Sequence, residues 1–207
     1  SAGYQLAPLS YLYSQGPVLL YNGQEVGEEA AGIEGYGGDD GRTSIFDYWS
    51  MPAMIGWVNG HAYDGAGLTE SQRRLRRFYG DLLALSQDEA ATGSRFWGLD
   101  YWNTTSRFGD ADDNLFSFAR FETSGGRMLL VVANFAPGRG TSARIRIPNE
   151  LADAAGLDAS RLYTVRRVLD EGGAESTTVG AGSRELLVSE GFVADIADQS
   201  SAVFLIE

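Results

Sequence analysis

The ten residues Gly16-Pro17-Val18-Leu19-Leu20-Tyr21-Asn22-Gly23-Gln24-Glu25 constrain the fold of this chain more than any other segment. A Gly-Pro turn feeds a short apolar run that stops at once in a polar Asn-Gly-Gln-Glu. A run bounded in this way reads as a strand over Val18 to Tyr21 buried on both faces, the pattern of a parallel sheet covered by helices. In such sheets the chemistry lies beyond the carboxyl ends of the strands, which puts Gln24 and Glu25 where a substrate site would be. A parallel strand also needs parallel neighbours, and the rest of the sequence supplies almost none.

The 207 residues suffice for one large domain or two small ones with a real core. No apolar stretch reaches the ~20 residues that a membrane-spanning helix requires. A net charge of −12 argues against nucleic acid and anionic membrane surfaces as partners. The absence of cysteine excludes disulfides and thiolate metal ligands. All 16 basic residues are arginine, which fits the codon usage of a GC-rich genome or, as a second reading, an acidic surface adapted to salt. The chain opens at Ser1-Ala2-Gly3 with neither an initiator Met nor a signal-peptide pattern. With the orphan strand, this reads as a piece of a longer protein.

Two regions differ in kind, which predicts an α+β chain: helix, one strand and helix, then an all-β antiparallel Greek-key sandwich. In the first region a helix is expected over Gln5 to Tyr13, with Pro8 in its first turn. A Gly-rich, acidic stretch from Gly27 to Arg42 follows the strand. An aromatic segment (Phe46, Tyr48, Trp49, Met51, Trp57) surrounds Pro52 and includes a short helix. The clearest helix spans Glu70 to Leu85. Thr69 and Gln72 form a capping box at its start, and Leu75, Phe78, Tyr79, Leu82 and Leu83 make one apolar stripe. Arg73, Arg74, Arg76 and Arg77 read as its solvated face. In the second region strands are expected at Leu115 to Glu122 and Arg127 to Phe135, joined by the hairpin loop Thr123-Ser124-Gly125-Gly126. Further strands are Ala143 to Ile147, Leu162 to Leu169, Glu185 to Val188, Phe192 to Ile196 and Ala202 to Ile206, with a helical turn within Asn149 to Leu157. Short strands at this spacing predict the sandwich.

The order Gly-Pro, three apolar residues, Tyr-x-Gly-x-Glu resembles the last barrel strand of the α-amylase family of glycoside hydrolases, family 13. Gly41-Arg42-Thr43-Ser44-Ile45-Phe46-Asp47-Tyr48-Trp49 is similar to the loop after that strand in bacterial relatives. Leu75 to Leu85 resembles the last barrel helix. Phe116-Ser117-Phe118-Ala119-Arg120 and Leu129-Leu130-Val131-Val132-Ala133-Asn134-Phe135 resemble the start of the family's C-terminal sandwich. The resemblance implies residues 1–91 as the end of a (β/α)8 barrel and 92–207 as a sandwich domain of a retaining α-glucan hydrolase. It also implies that two carboxyl groups ~5–5.5 Å apart do the chemistry.

That catalytic set is missing here. In the family the nucleophile, the acid/base and the Asn-His-Asp signature come from earlier or middle strands, and here His61 is followed by no acid. No catalytic residue is therefore assigned, and the chain by itself is expected to be inactive. Gln24, Glu25 and Arg42 are the candidate substrate-binding residues at the rim of the cleft, with Asp39 and Asp40 in the same loop; for Glu25 the plainer reading is an ion pair with an arginine. No cofactor and no metal are expected: Asp110-Ala111-Asp112-Asp113-Asn114 opens like a calcium loop but continues with Leu115 and Phe121 at positions six and twelve. Gly32 to Gly41 lacks the spacing of a phosphate cradle.

The partner implied is an α-glucan, bound through the parent enzyme. A second reading is a non-catalytic starch-binding sandwich that grips sugar through Trp97, Tyr101 and Trp102, although those residues sit where the two regions join. The apolar stripe and the strand need cover, so residues 1–90 are expected to pack on the sandwich or on a second copy of the chain. Each large side chain of the stripe contributes ~1.5–3 kcal/mol when buried.

Overall fold

Alternating apolar residues in the second half of the chain pair into two antiparallel sheets. The computed structural model describes residues 2–29, 51–92, 95–123 and 126–207. Its strands are β1 (Arg95–Gly98), β2 (Leu115–Phe121), β3 (Met128–Asn134), β4 (Thr141–Ile145), β5 (Leu162–Leu169), β6 (Thr177–Ser183), β7 (Phe192–Ile196) and β8 (Ser201–Ile206). Six of them form one sheet in the order β1-β2-β3-β8-β5-β6, and β4 pairs with β7 in a second sheet. β8 returns to lie between β3 and β5, so the chain closes its sheet with a strand made long after its neighbour β3. The α+β class and the sandwich expected from the sequence are the architecture observed.

Register follows from which face each residue must bury. Met128, Leu130 and Val132 enter the core between the sheets, where they meet Phe121, Phe192, Ile196 and Phe204. The intervening Leu129, Val131 and Ala133 are equally buried, because helix α1 (Ala2–Leu12) packs over β3 and β8 on the opposite face. A strand covered on both faces loses its polar alternation, and β3 reads in the sequence as an unbroken apolar run. At the end of β3 the buried Asn134 is fully engaged. Its amide donates to the carbonyls of Arg139 (2.8 Å) and Ala197 (3.1 Å), and its oxygen accepts from Ala136 N–H at 2.8 Å.

Helix α1 starts earlier than its periodicity predicts, so Pro8 stands in the second turn and not the first. Proline there offers no N–H to the carbonyl of Tyr4, one turn back. The Ser201 hydroxyl on β8 donates to that oxygen at 2.7 Å.

Several expected elements differ. Residues 17–21 form neither helix nor strand and join no sheet among the described residues, and Val18, Leu19 and Tyr21 are 41%, 80% and 41% exposed. The buried strand read from their pattern is absent, and among the described residues no neighbouring strand offers it a ladder or a face. Glu185 to Val188 belong to a helix, Arg184–Ser189, whose N-cap is Ser183 with its hydroxyl accepting from Leu186 N–H. That cap outweighs the β-propensity of so short an apolar run. β1, β6 and the short helix Glu89–Thr92 carry no clear sequence signal, β6 because its Thr, Gly and Ala residues mask the alternation. The helical turn expected after Pro148 is Asn149–Ala154. Of the hairpin loop, Ser124 and Gly125 lie outside the described residues, as do Phe46, Tyr48 and Trp49 of the aromatic segment.

By compactness the chain divides into two units, Ser1–Gly16 with Asp81–Glu207, and Pro17–Gly80. The second contains helix α2 (Pro52–Val58) and the start of helix α3 (Glu70–Leu85). The capping box forms in both directions: Thr69 Oγ1 accepts from Gln72 N–H at 3.3 Å, and Gln72 Oε1 accepts from Thr69 N–H at 2.9 Å. Leu75, Phe78, Tyr79 and Leu82 of the stripe are buried, whereas Leu83 is half-exposed.

Candidate functional site

The polar end of the opening segment folds into a turn and a single 3-10 turn over Gln24–Val26. Gly23 enters it with φ +86°, and a Cβ there would lie 2.8 Å from Glu28 Cβ and 2.9 Å from Met51 Cε. Only glycine fits that backbone and that space. Val26, wholly buried with Ala53 and Leu68, pins the far side of the turn. Glu28 then reaches the start of α2, where its Oε2 accepts from Ala53 N–H (2.9 Å) and Met54 N–H (3.2 Å). A carboxylate at this position satisfies two donors that the helix itself cannot.

This scaffold fixes the two flanking candidates differently. The Gln24 side chain is used at both ends: Nε2 donates to the Tyr79 hydroxyl at 2.9 Å, and Oε1 accepts from Tyr21 N–H at 3.3 Å. Tyr79 is buried on α3. Burial pushes its phenol pKa up, the hydrogen bond from Gln24 works against that rise, and the charge of Glu25 adds to it. Tyr79 is therefore a neutral hydrogen-bonding group at ordinary pH. Glu25 is half-buried, and among the described residues its carboxylate takes part in no hydrogen bond or ion pair. The arginine partner expected for it is not among those residues. Arg42, Asp39 and Asp40, the remaining candidates, lie outside the described residues.

A structural site thus brings together Gln24, Tyr79 and Glu25, with Glu28 and Gly23 as its supports. Tyr79 and Glu28 were not singled out by sequence. Tyr79 fell within the apolar stripe, whose periodicity reports the ring and not the hydroxyl at its tip. Glu28 caps a helix 24 residues further on, a distance no local signal spans. Chemically, the arrangement offers one carboxylate acceptor beside a neutral phenol.

At the join of the regions, Trp97 packs against the sandwich core and donates from Nε1 to the Tyr101 hydroxyl at 3.1 Å. The Arg107 guanidinium lies over Trp102 at 4.1 Å from the ring centre, and Tyr101 is 57% exposed. The acidic turn at Asp110–Asn114 is built by ion pairs: Arg146 grips Asp110 through two hydrogen bonds of 2.7 and 2.9 Å, and Arg139 reaches Asp112 at 2.8 Å. His61 is exposed at φ +74°, with its ring nitrogen 3.5 Å from the Tyr63 hydroxyl.

No family model and no curated protein sequence matches the chain. Among solved structures it is similar to the isomaltulose synthase SmuA from Protaminobacter rubrum, at 14% identity and a TM-score of 0.49, over 100% of this chain and 38% of that one. It is similar to an α-amylase from Geobacillus thermoleovorans at 12% identity and a TM-score of 0.40, over 97% of this chain and 32% of that one. A third likeness, to CelM2, a bifunctional glucanase-xylanase from a metagenome library, has 20% identity and a TM-score of 0.29, over 45% of this chain and 16% of that one. The chain therefore spans about a third of the first two. With every TM-score below 0.5, none of these likenesses fixes an activity for it.

Proposed function

We propose that this chain is the C-terminal portion of a retaining α-glucan hydrolase of the α-amylase type. Residues 1–91 are the end of its (β/α)8 barrel, and residues 92–207 are the sandwich domain that follows. The observation that carries this reading is an ordered series of residues: the Gly16 to Glu25 segment, Gly41 to Trp49, the capped helix at Glu70–Leu85 and the strands at Leu115–Phe121 and Met128–Asn134. In that setting Gln24 holds the turn, Glu25 and Arg42 line the rim of the sugar cleft, and the nucleophile and the acid/base come from the preceding strands. Retaining hydrolysis needs two carboxyl groups ~5–5.5 Å apart, and Glu25 stands in for neither of them.

Two measurements test the proposal. The 207-residue chain releases no reducing ends from soluble starch, and the coding sequence upstream of Ser1 contains an Asn-His-Asp motif. An upstream sequence without that motif sinks the proposal. The starch-binding reading makes the opposite forecast for a pull-down on insoluble starch: retention that is lost in Tyr101→Ala, whose exposed side chain leaves the core intact.

A further inference from the structure

The four arginines of α3 do not form one solvated face. Arg74 and Arg77 are exposed, and Arg77 makes an exposed pair with Glu70 at 3.3 Å. Arg73 and Arg76 are half-buried and, with Arg77, line a cavity of about 400 Å³ whose other walls include Trp57, Asp64 and Leu68. A volume of this size is that of a small-molecule site.

The cavity is built, and not merely left between side chains. Gly65 N–H donates to the Trp57 carbonyl at 3.1 Å, and Gly67 N–H to the Gly56 carbonyl at 3.2 Å, which fastens the turn after α2 back onto that helix. Gly65 has φ +68°, and a Cβ there would fall 2.8 Å from the Trp57 ring, so the backbone lies directly against the indole. Over the ring lies the Arg76 guanidinium, 3.7 Å from the centroid. That stack fixes the plane of a guanidinium at a desolvated wall, where a cation–π contact counts most. Among the described residues the buried Nε of Arg76 has no hydrogen-bond partner, and no carboxylate pairs with Arg73 or Arg76. Asp64 is committed to its own turn, where Oδ1 accepts from Asn59 Nδ2 (2.8 Å) and Ala66 N–H (3.0 Å).

Three guanidinium groups and the Asp64 carboxylate line the cavity, and Glu70 pairs with Arg77 at its edge, which leaves one excess positive charge inside a protein of net charge −12. A planar guanidinium presents its donors in a fork that matches a tetrahedral oxyanion, and a phosphate monoester at pH 7 carries close to two negative charges. We infer that the Trp57–Arg73–Arg76–Arg77 cavity binds a small dianionic oxyanion, either free phosphate or the phosphoryl group of a small monoester. This goes beyond the proposed function and does not depend on it.

The test is amide chemical-shift mapping on the full chain titrated with inorganic phosphate, with glycerol 1-phosphate and with acetate, at constant ionic strength. Saturable shifts confined to residues 57–77 are expected with phosphate, with the ester, or with both, and the tighter of the two names the source; acetate gives none. Arg73→Gln and Arg76→Gln each weaken binding by at least about tenfold, the loss expected for a charge-assisted hydrogen bond, whereas Arg74→Gln changes it by less than about twofold. Arg73→Gln leaves the Trp57 stack in place, so it tests the site without disturbing the turn. The inference is overturned by shifts that rise without saturation, that acetate reproduces, or that persist unchanged in Arg73→Gln and in a folded Arg76→Gln.

Discussion

Val18 to Tyr21 and Met128 to Ala133 are short apolar runs of much the same texture, and they meet opposite ends. The second lies at the centre of a six-stranded sheet, hydrogen-bonded to β2 on one side and β8 on the other, with every residue at 0% exposure. The first joins no sheet among the described residues, and Leu19 is 80% exposed. Intrinsic propensity is similar in the two. What differs is the company: β3 has an antiparallel partner that ends six residues before it, another, β8, on its other edge, and a helix to cover its outer face. An apolar run is a request for neighbours, and the fold answers only one of these two.

The comparison is sharpest in matched substitutions. Val131→Asp places an unpaired carboxylate in the buried centre of β3 and is expected to cost more than about 4 kcal/mol, enough to unfold the sandwich in urea melts. Next in size is Asn134→Ala, which strips donors and acceptor from three backbone groups at the end of β3; about 2–3 kcal/mol is expected from the same melts. Acid acts more gently on the same unit. At Asp88 burial opposes the charge, yet the Arg127 side-chain hydrogen bonds (2.6 and 2.7 Å) outweigh it and hold the carboxyl below its ordinary value; at Asp110 the hydrogen bonds of Arg146 do the same. Groups with a depressed folded pKa add stability above their unfolded value of 3.8 and lose it as pH falls through the folded one. Thermal midpoints should accordingly be flat from pH 7 to about 5 and drop below about 4.

Smaller effects belong to the other unit. Thr69→Ala removes half of the capping box and is expected to cost about 1 kcal/mol, read as faster amide exchange in the first turn of α3. Leu19→Asp, the counterpart of Val131→Asp, should change stability by no more than about 0.5 kcal/mol. Amide exchange decides the matter directly: amides at 129–133 exchange only through large-scale unfolding, and those at 18–20 exchange within the dead time. Protection at 18–20 in the isolated chain breaks the comparison.

Much of the sandwich was legible because its strands alternate or run apolar in the way their cover demands, as at β2, β3, β5, β7 and β8. Legibility failed where a local device overrode the pattern. Ser183 turned Glu185 to Val188 into a helix, and Ser201 on a distant strand made Pro8 tolerable in the second turn of α1. The glycines of β6 hid a strand altogether. At the candidate site Gln24 and Glu25 stood out through the abrupt end of an apolar run. Tyr79, 55 residues from Gln24, did not, because a hydroxyl on an apolar stripe leaves no mark on periodicity. The arginines of α3 were misjudged for a related reason. Spacing tells which residues share a helix face, but not that a glycine turn will fold a tryptophan against it.

The bond from Ser201 to the Tyr4 carbonyl joins residues 197 apart, and β8 lies between β3 and β5. On a ribosome this means that helix α1 emerges with its docking surface incomplete until a segment made 197 residues later follows it. Until residues 201–206 leave the exit tunnel, β3 and β5 each carry an open edge, and α1 lacks half its platform. The sheet cannot assemble strand by strand as it is synthesised; it must wait and then close at once, over a long loop and at a correspondingly slow rate. During that wait the unpaired edges are what a chaperone would have to shield, and β8 is the segment whose truncation would leave both of them open for good.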